Sequence, residues 1–255
     1  MLGDVRRLTS SVVVKEAPTE YLEREAEVLK FISQNTTIPV PIFYDLRPAS
    51  EAGRSHLFMQ FLEGEMLARK WRVITPAQRR VVMKKLGEFV RQLRDLQQSS
   101  PSGWIGSLSG KESYDARIST TSLFGPFEDE RAYNDWRLST FDQFAMVHEP
   151  TARRLREIRH QMPDNHRIYF THGDISIHNV LLKVHGEGED DLEVTALLDW
   201  EQAGWRPEFW EAAKIVYGMD RKHEWSCLAL EMVVPGYENE LRFEDELLNI
   251  SGPPR

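Results

Sequence analysis

Acids placed at the ends of apolar strands limit what this chain can fold into more than any other feature. The strand-like Arg167-Ile168-Tyr169-Phe170 runs into His172-Gly173-Asp174, and five residues beyond Asp174, Asn179 opens the apolar Val180-Leu181-Leu182. Twenty residues past Asn179 comes Leu197-Leu198-Asp199-Trp200-Glu201. A carboxylate without a partner beside a core is costly, so a fold that buries these strands must bring a cation to the acids. Mg²⁺ suits them, because it takes carboxylate and amide oxygens together with substrate phosphates. Asn179 and Asp199 are therefore the expected metal ligands, and Asp174 is left to face an acceptor hydroxyl.

The rest of the chain reads as a small mixed lobe over residues 1–62 and a larger, mostly helical lobe over residues 63–255. Ser11-Val12-Val13-Val14-Lys15 is β-branched and predicts a strand. Thr19 is placed to cap a helix from Glu20 to Ile32. Ile38-Pro39-Val40-Pro41 must be extended, since each proline pushes its predecessor out of the helical region. His56–Leu62 predicts a second strand, closed by Glu63-Gly64. Beyond it, Thr75-Pro76 starts a helix whose apolar residues Val82, Leu86, Phe89, Val90 and Leu93 recur at helical spacing to about Gln97. Further helices are expected over Glu128–Val147 and Pro150–Met162, and a last one over Glu208–Tyr217. Strands are expected at Val180–Val184 and Leu192–Leu198, and a frayed tail at Ser251–Arg255.

Composition removes several classes. Of 255 residues, 41% are hydrophobic and 28% charged, which suits a soluble globular protein. The 32 Lys and Arg against 40 Asp and Glu give a net charge of -8, a poor basis for gripping nucleic acid. The single cysteine, Cys227, leaves no internal disulfide. No apolar run approaches the ~20 residues of a membrane helix, and Met1–Arg7 has no signal-peptide core. A reducing, cytoplasmic setting is expected.

His172-Gly173-Asp174 with Asn179, and Asp199 of Leu198-Asp199-Trp200-Glu201, resemble the catalytic half of the protein-kinase-like fold. They are most similar to the aminoglycoside phosphotransferase and choline kinase-like family. Ile38-Pro39-Val40-Pro41, Met59–Gly64, Phe124-Gly125-Pro126-Phe127 and Asp199–Trp205 look like that family's fungal branch. The resemblance spans about Val12 to Tyr217. It implies an α+β two-lobe fold and transfer of the γ-phosphoryl group of ATP to a hydroxyl of a small molecule. It also implies that Asp174 accepts the proton, that Asn179 and Asp199 hold Mg²⁺, and that Lys15 reaches the nucleotide phosphates. His172 would support the catalytic loop, and adenine would sit near Gln60, Phe61 and Leu62.

The partner for Lys15 should project from the following helix, where Glu23, Glu25 and Glu27 compete. Leu22, Ala26, Val28, Leu29 and Ile32 define the buried face, and at ~100° per residue only Glu25 falls within it.

Other readings use the same residues. Asp174 and Asn179 also suit turn caps. His172, Asp174, His178 and Asp199 could ligate a transition metal in a phosphoester hydrolase. Trp200, Trp205, Phe209 and Trp210 suit core packing or a cage for a cation, and Glu201, Glu208 and Glu211 would suit an amine-bearing substrate. The chain departs from the family at its front: the fourteen residues before Lys15 hold Gly3 but no glycine-rich loop, so that either Arg6, Arg7 and Thr9-Ser10 substitute for it in part, the chain is a truncated form, or nucleotide binding is lost. A ligand-binding relative without turnover is the corresponding alternative.

Overall fold

Val12–Pro18 (β2) is the spine of a four-stranded antiparallel sheet in the order β1-β2-β4-β3, with β1 at Asp4–Arg7, β3 at Phe43–Pro48 and β4 at Arg54–Gln60. The computed structural model describes residues 4–118, 123–141 and 148–251. Because strand side chains alternate between faces, the register Lys15↔Leu57 and Val13↔Met59 puts Lys15 on the same face as Leu57 and Met59. That face is covered by helix α1 (Thr19–Asn35), which buries Leu22, Glu25, Ala26, Val28, Leu29 and Ile32. Thr19 does not cap α1: it is the first helical residue, and its hydroxyl pairs with Ser55 Oγ at 2.8 Å.

The front of the chain holds a hairpin that the sequence did not announce. β1 pairs with β2 from Asp4↔Glu16 to Arg7↔Val13, and residues 8–11 turn between them. No glycine shapes the turn. Thr9 Oγ1 accepts from Ser11 N (3.2 Å) and Val12 N (3.1 Å), while Leu8 N and Thr9 N donate to Val12 O.

Short elements follow the crossing at residues 61–64: β5 (Glu65–Met66) and α2 (Leu67–Lys70). Gly64 has φ +155°, and a Cβ there would come within 2.6 Å of Thr195 Oγ1, so the crossing needs a glycine. Helix α3 (Pro76–Asp95) is the central rod of the helical part. A reciprocal cap starts it: Gln78 N donates to Thr75 Oγ1 (3.2 Å) and Thr75 N to Gln78 Oε1 (3.1 Å). Its stripe of Val82, Leu86, Phe89 and Leu93 is no more than 1% exposed.

Helices α4 (Glu130–Ser139) and α5 (Glu149–Gln161) lie near their expected places; residues 142–147 of the expected Glu128–Val147 helix fall outside the described residues, as do 252–255 of the expected tail. Helix α6 (Trp210–Ile215) is not the last one. Helices α7 (Glu224–Met232) and α8 (Glu238–Ser251) follow, with Trp225 of α7 edge-on to Trp71 at 5.6 Å.

Two small antiparallel sheets set the site. One is β5-β7-β8, with β7 at Val180–Val184 and β8 at Leu192–Leu197; the other pairs β6 (Ile168–Thr171) with β9 (Gly204–Pro207). The connections β6→β7 and β8→β9 therefore both pass from one small sheet to the other, which lays residues 172–179 and 198–203 side by side.

Thr75→Ala removes the hydroxyl half of the α3 cap, leaving the backbone amide of residue 75 on Gln78 Oε1, and should cost about 1 kcal/mol, lowering Tm by roughly 2–4 °C. A melting curve superimposable on wild type would show that the cap carries no stability.

Candidate active site

Three backbone-level contacts lock the two connections together. Leu198 N donates to Asn179 O at 2.8 Å, and His172 Nε2 meets Leu198 O at 3.1 Å. Gly173 sits at φ +75° with its Cβ position 2.8 Å from Gln202 O, a place no side chain fits. His172 is fully buried against Trp200, with ring centres 4.4 Å apart. Its Nδ1 accepts from Asp174 N at 3.0 Å, which leaves the proton on Nε2 for Leu198 O. Burial pushes the imidazole down to about 4, so it stays neutral and holds the loop rather than moving protons.

Asp174 sits at the mouth of this arrangement, partly exposed. Asn179 Nδ2 donates to Asp174 O (2.9 Å) and to Asp174 Oδ2 (2.8 Å). The asparagine thus fixes one carboxylate oxygen of Asp174 and keeps its own Oδ1 as the atom available to a cation. Burial raises the Asp174 carboxyl to about 6; Lys214 and Asn179 pull it down, and Asp199 and Asp115 add to the rise.

Across the loop, one ammonium faces three carboxylates. Lys15 Nζ donates to Glu25 Oε2 (2.8 Å), Asp199 Oδ1 (2.7 Å) and Glu201 Oε2 (2.8 Å). All four residues are no more than 9% exposed. Asp199 reaches this position with φ +65°, a left-handed conformation that Asp tolerates better than most residues. Burial pushes Glu25 up to about 7 in spite of the ammonium beside it. Burial works against the charge on Lys15, yet the three acids hold its proton well above the usual lysine range. With all acids ionised the cluster carries two surplus negative charges, and ligand oxygens of Glu25, Asp199 and Glu201 lie within 4.8 Å of one another. Oxygen donors with a negative surplus fit a hard divalent cation.

Sequence reasoning placed Glu201 and Glu211 at an amine-bearing substrate, and the structure puts them elsewhere. Glu201 completes the shell of Lys15. Glu211, buried in α6, accepts from His172 N (2.7 Å) and Gly173 N (3.2 Å) and so anchors the loop of residues 172–179 from behind. Glu208 accepts from Tyr237 OH at 3.4 Å. Trp200, Trp205, Phe209 and Trp210 are all at most 3% exposed and belong to the core rather than to a cage. The hydrolase tetrad does not assemble: both nitrogens of His172 are engaged inside the protein, His178 is exposed, and the one acid or histidine cluster of metal-ligand geometry among the described residues contains no histidine.

The expected adenine segment is the crossing between the N-terminal sheet and the helical part. Phe61 N donates to Ser11 O at 2.8 Å and Arg7 lies 3.8 Å over the Phe61 ring, while Ile42 N reaches Gln60 Oε1 at 3.4 Å. Leu62 is half-buried beside them.

Replacing Lys15 by Met leaves three buried carboxylates facing one another. The substitution should cost about 3–5 kcal/mol near neutral pH. The loss should shrink on acidification from about pH 8 to about pH 5.5, because burial already raises Glu25 to about 7 and its protonation relieves the repulsion. Thermal melts at both pH values check this; a Lys15→Met protein as stable as wild type at the higher pH contradicts it.

The fold has solved counterparts. A wild-type aminoglycoside 2'-phosphotransferase in its GDP complex matches with TM-score 0.67 at 12% identity, covering 98% of this chain and 80% of that one. An aminoglycoside 3'-phosphotransferase of type VIII matches with TM-score 0.57 at 18% identity, covering 98% and 94%. An aminoglycoside phosphotransferase from Streptomyces rimosus, in complex with ADP and streptomycin, matches with TM-score 0.56 at 15% identity, covering 97% and 92%. At such identities they establish a shared kinase-like α+β fold. Comparison with curated proteins finds no match, and no helix among the described residues is long and apolar enough to cross a membrane. Residues 3–247 match the phosphotransferase enzyme family, and the chain belongs to that family.

Proposed function

We propose that this protein transfers the γ-phosphoryl group of ATP to a hydroxyl of a small molecule, in a reducing, cytoplasmic setting. The observation that carries the reading is the convergence of Asp174, Asn179, Asp199 and Lys15 on one side of the paired connections. The lobes divide at residues 62 and 63, and adenine lies against Gln60, Phe61 and Leu62.

Asp174 is the group that receives the acceptor proton. Asn179 ties down its Oδ2, so Oδ1 is aimed at the acceptor and the hydroxyl is held in line for attack. Lys15, anchored by Glu25, binds the nucleotide phosphates. Asn179 Oδ1 and the Asp199 carboxylate would hold Mg²⁺, whose charge would neutralise the phosphate oxygens. His172 and Glu211 position the loop without touching substrate.

A second reading, ligand binding without turnover, is favoured by the front hairpin. The amides of Leu8, Thr9, Ser11 and Val12 are engaged within the turn, whereas a phosphate-covering loop offers such groups to the nucleotide. The turn hydroxyls and Lys15 must then do the work of the glycine-rich loop.

The test is release of labelled γ-phosphate from Mg·ATP with a panel of small hydroxyl compounds, water being the default acceptor. Asp174→Asn should lower turnover by about 10²–10⁴ while nucleotide binding persists. The wild-type rate should fall as pH drops through about 6, where the Asp174 carboxyl takes up its proton and ceases to be a base. Wild-type turnover in Asp174→Asn, or a rate indifferent to pH around that value, contradicts the assignment. Nucleotide binding without transfer to any compound favours the second reading.

A further inference from the structure

We infer that residues 106–116 form a strap that sets the spacing between Glu25 and Glu201, and that Tyr114 at its crest is the residue that positions α1 for nucleotide binding. The role of Tyr114 in binding rests on the nucleotide reading of the site; the contacts that place it do not.

Both feet of the strap stand on the chain just beyond Glu201. Gly106 N donates to Trp205 O (3.3 Å) and Trp205 N to Gly106 O (2.9 Å). Ala116 N donates to Gln202 Oε1 at 2.9 Å. Asp115, fully buried, accepts from Trp210 Nε1 (2.7 Å) and Lys214 Nζ (2.6 Å) of α6. Ser113 N donates to Phe124 O (2.8 Å) and Phe124 N to Ser113 O (3.0 Å), which braces the strap further. A segment held at so many points by satisfied hydrogen bonds is stiff.

The crest meets α1. Glu112 O accepts from Arg24 Nε at 3.0 Å, and the Tyr114 ring stands edge-on to Tyr21, with centres 5.0 Å apart and planes at 85°. Both tyrosines are at most 5% exposed. An edge-to-face pair has a preferred direction as well as an area, so it fixes where Tyr21 lies. Tyr21 and Glu25 are one helical turn apart on the same face, and Glu25 Oε2 takes the Lys15 ammonium at 2.8 Å. Towards the other end of α1, Phe31 meets Phe170 of β6 at 5.8 Å. With that end held, Tyr114 sets the tilt of the half that carries Glu25.

The contacts close a circuit. Glu25 and Glu201 reach Lys15 from different elements, α1 and the β8→β9 connection. Gln202 follows Glu201 and holds the Ala116 amide, and Tyr114, two residues earlier, returns to Tyr21. A shift of the crest would therefore widen one side of the acid cluster while the other side stays on the helical part. Widening takes Glu25 off Lys15 and leaves the ammonium to Asp199 and Glu201. There it competes with an incoming cation for the same carboxylate oxygens, so the strap keeps Lys15 shared and Asp199 available.

Tyr114→Leu keeps an apolar side chain at the crest but removes the edge-on ring, whereas Tyr114→Phe keeps the ring. Calorimetric titration of the full chain with Mg·ATP, and hydrogen exchange of the α1 amides read against those of α3, test the role. Tyr114→Leu should weaken Mg·ATP binding by about tenfold and speed exchange in α1 by a similar factor, with α3 unchanged. Tyr114→Phe should match wild type in both. In a Glu25→Gln background Tyr114→Leu should cost no further affinity, because it acts through Glu25. Arg24→Ala, a surface change that loses the bond to Glu112, should move both readings the same way by about threefold. The inference is overturned by wild-type affinity and α1 exchange in Tyr114→Leu, by exchange raised equally in α1 and α3, by a Tyr114→Phe protein as impaired as Tyr114→Leu, or by an additive loss in the double variant. If Tyr114→Leu does not fold, Arg24→Ala decides alone, and α1 exchange unchanged by it overturns the inference. If Mg·ATP does not bind the wild type while Tyr114→Leu frees α1 and not α3, the hold of the strap on α1 stands and the nucleotide reading falls.

Discussion

The ammonium of Lys15 is the point on which the structure turns. It is the cation that permits Glu25 from α1, Asp199 from the β8→β9 connection and Glu201 two residues on to be buried together. Those contacts also tie the N-terminal sheet to the helical part, since Lys15 lies in β2 and Asp199 is 184 residues away. Three acids on one ammonium leave a negative surplus, an unfavourable state for an interior. The same cluster of carboxylate oxygens, within 4.8 Å of one another, has the chemistry that suits a hard divalent cation.

Around that centre the structure separates a partly exposed carboxylate from the buried groups that hold it. Asp174 and Asn179 present oxygens at the mouth, while His172, Trp200 and Glu211 form a rigid support behind them. The support is made of buried hydrogen bonds with every donor matched: Nδ1 of His172 to the Asp174 amide, and the His172 and Gly173 amides to Glu211. A network satisfied in this way fixes geometry; within it burial holds His172 far below neutral pH and pushes the Glu211 carboxyl up to about 7.

Much of this was readable in the sequence, and the limits have physical causes. Asp174, Asn179 and Asp199 stand out because polar residues at strand ends need partners. Glu25 stands out because helical spacing puts an acid on an apolar face. Glu201 could not be placed the same way: it lies in an aperiodic connection, and the left-handed turn at Asp199 that swings it to Lys15 leaves no mark in a residue type that tolerates many conformations. Glu211 is a helix-start acid like many others, and its role exists only because α6 packs behind residues 172 and 173. The front hairpin was missed because Thr9 closes it with a hydroxyl where glycine was sought. Helix α8 was the avoidable omission, since Gly236 followed by Glu238 and Glu240 is an ordinary helix start.

The central claim is that the acids around Lys15 and Asn179 hold a magnesium nucleotide. Calorimetric titration with ATP, with and without Mg²⁺, on wild type and Asp199→Ala tests it most directly. The account expects saturable binding that requires Mg²⁺ and is lost or weakened at least about tenfold in Asp199→Ala. Binding of ATP that is indifferent both to Mg²⁺ and to the loss of the Asp199 carboxylate would contradict it.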